Sequence, residues 1–251
     1  MQRFEQRIAL ITGAASGIGR ATALRLGSEG ATVYGVDRDA DGLTALSDEL
    51  AAGGTQVATL ALDLSEVSAC RSAVDGCVTA FGGLDTLVNV AGINRFSTFD
   101  QMSEEEWDLT MGINLKSVAF TCQAALPHLL ESKGTITNVA SVAAFIGQAY
   151  TAAYCVSKGG VVQLTRSLAA EYVKTPLRVN AVAPGGVSTP MTAAVEFPPD
   201  TDWELVQPYM GKRGLAEADD VASAIAYLAS DEARFVHGAT LAIDGGVIAG
   251  V

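Results

Sequence analysis

Tyr154 and Lys158 stand four residues apart in a stretch with helical apolar spacing, which sets both side chains on one face, one turn from each other. A phenol ionises near pH ~10, too high for a base at neutrality, and a neighbouring ammonium favours the phenolate. The pair is suited to moving a proton, with Tyr154 as acid or base and Lys158 as its electrostatic activator. Ser141, thirteen residues before Tyr154 at the end of an apolar run, adds a hydroxyl that can hold a substrate oxygen and stabilise developing negative charge. Singly, each has an ordinary alternative as a core aromatic, a surface cation or a strand-end hydrogen-bonding group. Their meaning depends on what the chain builds beside them.

A β-branched apolar run leads directly into Thr12-Gly13-Ala14-Ala15-Ser16-Gly17-Ile18-Gly19 and then a helical pattern. Glycines here free φ for a tight turn, let a pyrophosphate approach bare backbone and bring helix close to strand. The helix start offers unpaired N–H groups and partial positive charge to that pyrophosphate, so Gly13, Ser16, Gly17, Ile18 and Gly19 are candidate cofactor contacts. Eighteen residues beyond Gly19, Asp37 ends the next run, where a carboxylate can accept hydrogen bonds from ribose hydroxyls and repel a phosphate on that ribose. Arg38 can stack on adenine or compensate such a phosphate, but the turn itself holds no Lys or Arg. The expected cofactor is NAD(H) in preference to NADP(H).

Strand-like runs at Ile8 to Thr12, Thr32 to Asp37, Val57 to Asp63, Thr86 to Ala91, Thr135 to Ser141, Arg178 to Ala183 and Thr240 to Asp244 alternate with helical segments. The helices are expected near 18–30, 39–52, 66–81, 104–132, 151–174 and 217–230. This alternation predicts an α/β fold: a doubly wound, Rossmann-type, seven-stranded parallel sheet with helices on both faces. No repeat or linker divides residues 1–251, so one catalytic domain is expected. Residues 185–216, with four prolines, read as a loop covering the substrate.

Composition fits this plan, with 49% hydrophobic and 18% charged residues. A net charge of −12 provides no basic footprint for nucleic acid or anionic lipid. No apolar run reaches the roughly 18 residues of a spanning helix, and no export segment is read at the start, so neither membrane nor secretion is expected. Cys70, Cys77, Cys122 and Cys155 lack metal or disulfide spacing, and His128 and His237 fall in no ligand pattern. No metal is expected, and the reading is a reducing cytoplasm.

Taken together, these residues resemble the short-chain dehydrogenase/reductase family over about Gln6 to Gly246. The resemblance rests on Thr12-Gly13-x-x-x-Gly17-Ile18-Gly19, Asp63-Leu64, Asn89-Val90-Ala91-Gly92, Asn114, Ser141, Tyr154-x-x-x-Lys158, Pro184-Gly185 and Ile243-Asp244-Gly245-Gly246. It implies a hydride transfer between nicotinamide and a carbonyl or secondary alcohol. It further implies that Asp63 meets the adenine amino group, Asn89 sits beside the adenosine ribose, and Lys158 also holds the nicotinamide ribose. Asn114 would keep a water linking Lys158 to solvent, and Val187 and Thr189 would contact the nicotinamide carboxamide. Val90 departs from the family, which usually has a second asparagine there, and puts in doubt a hydrogen bond supporting the central strands.

By the same resemblance, substrate lies between Tyr154 and the loop after Pro184. Ile93, Phe96, Val142, Phe145, Ile146, Met191, Val195, Phe197 and Trp203 give that region an apolar lining, with Asn94 and Gln148 as polar discriminators. A medium-sized, weakly polar ketone or alcohol is expected. The apolar circumference of the helix around Val161, Val162, Leu164, Leu168 and Tyr172, with the resemblance, implies a homotetramer. The rival enzyme reading is a 3-oxoacyl-thioester reductase, on an acyl carrier protein or on coenzyme A. The acyl-carrier form is weakened because Ala169-Ala170-Glu171-Tyr172 lacks the arginine such reductases usually carry and because Asp37 disfavours NADPH. A catalytically silent nucleotide-binding scaffold is the remote reading, opposed by the intact Asn114, Ser141, Tyr154 and Lys158 set.

Overall fold

Burial on both faces, which a parallel sheet requires, is already visible in the first strand, Ile-Ala-Leu-Ile-Thr. Its Ala9 and Ile11 belong to one apolar layer and its Leu10 to the other, as the two-residue period of a strand dictates. The computed structural model describes residues 2–250. It contains β1 (Ile8–Thr12), β2 (Thr32–Asp37), β3 (Val57–Ala61), β4 (Thr86–Asn89), β5 (Thr135–Val139), β6 (Arg178–Pro184) and β7 (Thr240–Ile243). All pair in parallel, in the order β3-β2-β1-β4-β5-β6-β7.

One face is covered by α1 (Gly17–Ser28), α2 (Ala40–Ala52) and a late helix, α9 (Ala218–Ala229). The other carries α3 (Val67–Phe81), α4 (Glu104–Met111) running into α5 (Ser117–Ser132), and α6 (Ala152–Glu171). Short helices α7 (Pro190–Ala193) and α8 (Trp203–Val206) lie between β6 and α9. From β1 the chain winds outward to β3, then returns to pair β4 with the other side of β1. The winding therefore reverses between β1 and β4, where the carboxyl ends of adjacent strands leave a crevice.

The expected doubly wound sheet is present, with several boundaries moved. β3 stops at Ala61 and leaves Asp63 and Leu64 in the following loop, while β4 and β5 stop at Asn89 and Val139, short of Ala91 and Ser141. The single helix expected over 104–132 is interrupted: Gly112–Lys116 form a π-helical turn that joins α4 to α5. Residues 185–216 are more ordered than their prolines suggested. Val187 bridges Ala216, and the bonds Ser188 N to Ala216 O (2.8 Å) and Ala216 N to Gly186 O (2.9 Å) close the loop at its base.

Candidate active site

The carboxyl ends of β1, β2, β4, β5 and β6 open onto one cavity of about 680 Å³. Its nucleotide half is shaped by backbone. Gly13 has φ +67°, and a Cβ there would meet Ala91 N at 2.9 Å; a Cβ on Gly19 would lie 1.9 Å from Gly13 O. Side chains at either position would break the turn or push β1 from β4. Ser16 caps α1 without a side-chain hydrogen bond, and the first turn of α1 has no acidic residue, unlike the first turns of α2, α4 and α9. The N–H groups and partial positive charge at this helix start are therefore not neutralised by a side chain, which fits the pyrophosphate of a dinucleotide.

Asp37 lines the cavity at the end of β2, its carboxylate accepting from Ala15 N and Asp39 N, both at 3.1 Å. It thereby joins the glycine turn to β2 and keeps lone pairs for a ribose. Arg38, Asp63, Leu64, Ala91, Gly92, Pro184, Gly185, Val187 and Thr189 also line the cavity. The Ser65 backbone and hydroxyl hold the Asp63 carboxyl below its ordinary range.

Asn89 does not line the cavity: its side chain is buried and donates to Asn138 Oδ1 (2.9 Å) and Cys122 Sγ (3.3 Å), so the carboxamide braces β4 against β5. The doubt raised by Val90 is also resolved. Thr12 Oγ1 accepts from the main-chain N–H of Val90 (3.0 Å) and of Ala91 (3.2 Å), so the link between β1 and the end of β4 does not depend on the side chain at 90.

Ser141, Tyr154 and Lys158 face the same cavity, Ser141 from just beyond β5 and the other two from the first turns of α6. Lys158 is buried, donates from Nζ to Val139 O at 2.8 Å, and lies 5.7 Å from the Tyr154 ring centre. Burial lowers its pKa to about 8. Burial also pushes the Tyr154 phenol up, with the Ser141 hydroxyl opposing that rise. The Lys158 ammonium, one turn along the helix, spends its hydrogen bond on Val139 O rather than on the phenol.

Asn114 sits within the π turn and is wholly buried, outside the cavity wall. Its Oδ1 accepts from Ile93 N (2.8 Å), and its Nδ2 donates to Ile93 O (2.9 Å) and Ser157 Oγ (3.1 Å). Ser157 in turn donates to Tyr154 O at 2.8 Å. With both amide hydrogens committed to protein, Asn114 clamps the loop after β4 to the helix carrying Tyr154. A π turn in an otherwise α-helical rod is how such an inward-facing side chain is accommodated.

At the far end, Asn94, Val142, Gln148 and Met191 line the cavity with Ile93, Phe96, Val195 and Phe197. Phe145, Ile146 and Trp203 do not line it. Phe145 is exposed, and Trp203 stacks behind Phe197 at 4.8 Å, with Phe197 against Phe96 at 4.5 Å. Sequence reasoning missed Arg95, Leu109, Tyr209 and Met210, all lining residues. Arg95 follows Asn94 directly and was legible by position. Tyr209 was not, because its place depends on a bond to Ala149 O (2.9 Å), sixty residues away.

Among the described residues, no cluster of three His, Cys, Asp or Glu side chains could hold a metal. His237 accepts from Val179 N (3.2 Å) at Nδ1 and meets Ala169 O (2.8 Å) at Nε2, a structural pairing of β6 with α6. The four cysteines are free, and among the described residues no helix is long and apolar enough to cross a membrane.

A family model described as Enoyl-(Acyl carrier protein) reductase matches residues 13–248. The chain is 39% identical over 243 residues, covering 96% of each protein, to (2S)-[(R)-hydroxy(phenyl)methyl]succinyl-CoA dehydrogenase subunit BbsD of Thauera aromatica. The chain belongs to the short-chain dehydrogenase/reductase family. A second member, 3-oxoacyl-[acyl-carrier-protein] reductase FabG of Thermotoga maritima, is 37% identical over 98% of this chain and 99% of its own. Solved structures of short-chain dehydrogenases superpose over the whole molecule. One from Mycobacterium paratuberculosis bound to NAD has TM-score 0.90 and 31% identity, covering 98% of both chains. Another from Burkholderia cenocepacia in complex with NADP has TM-score 0.89 and 34% identity, covering 98% of this chain and 99% of its own. This short-chain dehydrogenase/reductase is thus an enzyme acting on hydroxyl or keto substrates with a nicotinamide cofactor.

Proposed function

We propose that the enzyme transfers hydride between NAD(H) and a medium-sized, weakly polar secondary alcohol or ketone, with Ser141, Tyr154 and Lys158 at the reacting carbon and Asn114 positioning their helix. The observation that carries this reading is that a single cavity is lined by the glycine turn, by Asp37 and by the hydroxyls of Ser141 and Tyr154. When bound, the nicotinamide supplies or accepts the hydride. Ser141 holds the substrate oxygen and Tyr154 exchanges a proton with it. Because burial raises the phenol, Tyr154 keeps its proton at neutral pH and is poised to donate, which favours reduction there and oxidation at higher pH. Lys158 supports both the phenol and the nicotinamide ribose.

The preference for NAD(H) rests on Asp37, whose charge at the ribose edge opposes a 2′-phosphate. Residues 185–216 serve as the cover of a one-domain catalyst, and the cytoplasm is the proposed compartment. A homotetramer is proposed from exposed Val156 on α6 and from the groove along α4 and α5, where Leu109, Met111, Leu115 and Ala119 lie among Glu66, Glu104, Glu105, Asp108 and Lys116; light scattering in solution tests it. Reduction of a 3-oxoacyl thioester is the second reading, favoured by two thioester-named relatives at 37–39% identity. Following NADH and NADPH absorbance in parallel across secondary alcohols, ketones and 3-oxoacyl-CoA discriminates these readings. No turnover of any of them with either cofactor would overturn the function.

A further inference from the structure

At the substrate end of the cavity, the mostly apolar wall carries polar Asn94 and Gln148 and one charged residue, Arg95, whose side chain is exposed to solvent. The charged residues lining the cavity are Asp37, Arg38 and Asp63 at the adenosine end, buried Lys158 at the reaction centre, and Arg95. Among the described residues Arg95 is thus the only charge lining the substrate end, and no carboxylate lines it there. Among the described residues its guanidinium makes no hydrogen bond or ion pair, although the chain holds 28 acidic residues to 16 basic ones. The lid acids Glu196, Asp200, Asp202 and Glu204 all lie beyond ion-pair distance from it.

The backbone that carries Arg95 is tied on both sides to the catalytic helix. Two residues before it, Ile93 is gripped through N and O by Asn114, which also bonds Ser157 on α6. Two residues after it, Ser97 N donates to Tyr150 O at 2.9 Å, four residues ahead of Tyr154. The origin of the Arg95 side chain is therefore fixed relative to Tyr154 and Lys158. A second observation points to a ligand. The neighbouring Asn94 Oδ1 is buried with no partner, and Asn94 lines the same part of the cavity. A buried acceptor without a donor is uncommon and calls for a polar group from the ligand. Beside these two residues, Phe96 and Phe197 form an aromatic wall.

Building on the oxidoreductase reading, and in place of a weakly polar substrate, we propose that the substrate carries an anionic group away from the reacting carbon and that Arg95 recognises it, with the substrate's apolar body lying against Phe96 and Phe197. Arg95 is a specificity residue that touches substrate. A guanidinium meets a carboxylate or phosphate with paired N–H donors, a fit that neutral groups do not reproduce. The anion can be a carboxylate on the substrate itself or the phosphates of a coenzyme A thioester; both present the same chemistry to Arg95.

The test compares the wild type with Arg95→Gln and Arg95→Lys, using NADH as reductant. The substrates are 4-oxocyclohexanecarboxylate, its neutral methyl ester and a 3-oxoacyl-CoA. Arg95→Gln is expected to lower kcat/KM on the anionic substrate roughly 10- to 100-fold, the scale of a charge-assisted hydrogen bond, and to change the ester by less than about 2-fold. Arg95→Lys restores part of the loss. A selective loss on the free acid assigns the anion to the substrate body, and one confined to the thioester assigns it to coenzyme A. A readout without turnover is binding of the unreactive cyclohexanecarboxylate to the NAD-loaded protein, expected to weaken by the same factor in Arg95→Gln and to weaken with salt in the wild type. An acid-to-ester ratio and a thioester rate both unchanged by Arg95→Gln, in a protein that reduces the ester, overturn this proposal alone. A protein that reduces neutral ketones of the wider panel but neither the free acid nor the thioester overturns this inference alone, and one that reduces no ketone of that panel with NADH or NADPH overturns the proposed function and this inference with it.

Discussion

Lys158→Met separates the cost of burying an ammonium from its proposed use in catalysis. Lys158 is buried, and desolvation brings its pKa from an ordinary 10.5 to about 8. That difference corresponds to about 3 kcal/mol by the linkage of protonation to folding. Below pH 8 the lysine is protonated whether the chain is folded or not, so the folded protein bears the full penalty. Between pH 8 and 10.5 the folded state has released the proton while the unfolded state still binds it, so stability rises with pH; above 10.5 the gain is complete. Methionine keeps the side chain's length and cannot titrate. It forfeits the bond to Val139 O, worth about 1.5–3 kcal/mol for a charged donor, which roughly offsets the relief from desolvation at pH 7. The expected outcome is a variant about as stable as the wild type at pH 7 and inactive, whereas the wild type gains on it by ~2–3 kcal/mol by pH 10. Urea unfolding of both proteins across this range measures the difference. Parallel stability curves from pH 7 to 10 would show that the buried ammonium carries no such penalty and refute the reasoning.

Three further outcomes follow from named contacts. Asp37→Ala removes the charge that opposes a 2′-phosphate, so the ratio of kcat/KM for NADH over NADPH is expected to fall by at least about 10-fold; an unchanged ratio denies Asp37 that role. Arg178 donates to Leu228 O (2.6 Å), Ala229 O (3.4 Å) and Ser230 O (2.8 Å) at the end of α9, so Arg178→Met should cost about 1–3 kcal/mol in urea unfolding without changing KM. Tyr150, held at φ +68°, accepts from Asp202 N at 3.0 Å and so fastens the 185–216 segment at the start of α8. Tyr150→Phe should speed amide exchange at Asp202 about 5-fold, the equivalent of ~1 kcal/mol, and leave exchange in β1 and β4 untouched.

The sheet was legible because each of its strands is a β-branched apolar run between helical patterns, and burial on both faces demands that composition. Gly13, Gly17, Asp37, Ser141, Tyr154 and Lys158 were legible for a related reason: each is fixed by its distance from the end of a strand or along one helix. The π turn at Gly112–Lys116 was not, because a helix with one inserted residue keeps the composition of the helix around it. The inward turn of Asn89 was equally hidden, since it is set by Asn138 on the neighbouring strand. Tyr150 gave no sign of its left-handed backbone, which in sequence is signalled by glycine or asparagine. The place of Tyr209 in the cavity wall depends on a bond spanning sixty residues, and no local pattern encodes such a contact.

The most direct measurement replaces Tyr154 by phenylalanine and records two quantities on one sample, NADH affinity by fluorescence titration and turnover of a ketone that the wild type reduces. Loss of the transferable proton should cut turnover by at least about 10³-fold while NADH binds within a few-fold of the wild type. Turnover near the wild-type rate in Tyr154→Phe would contradict the assignment of the phenol as the proton donor.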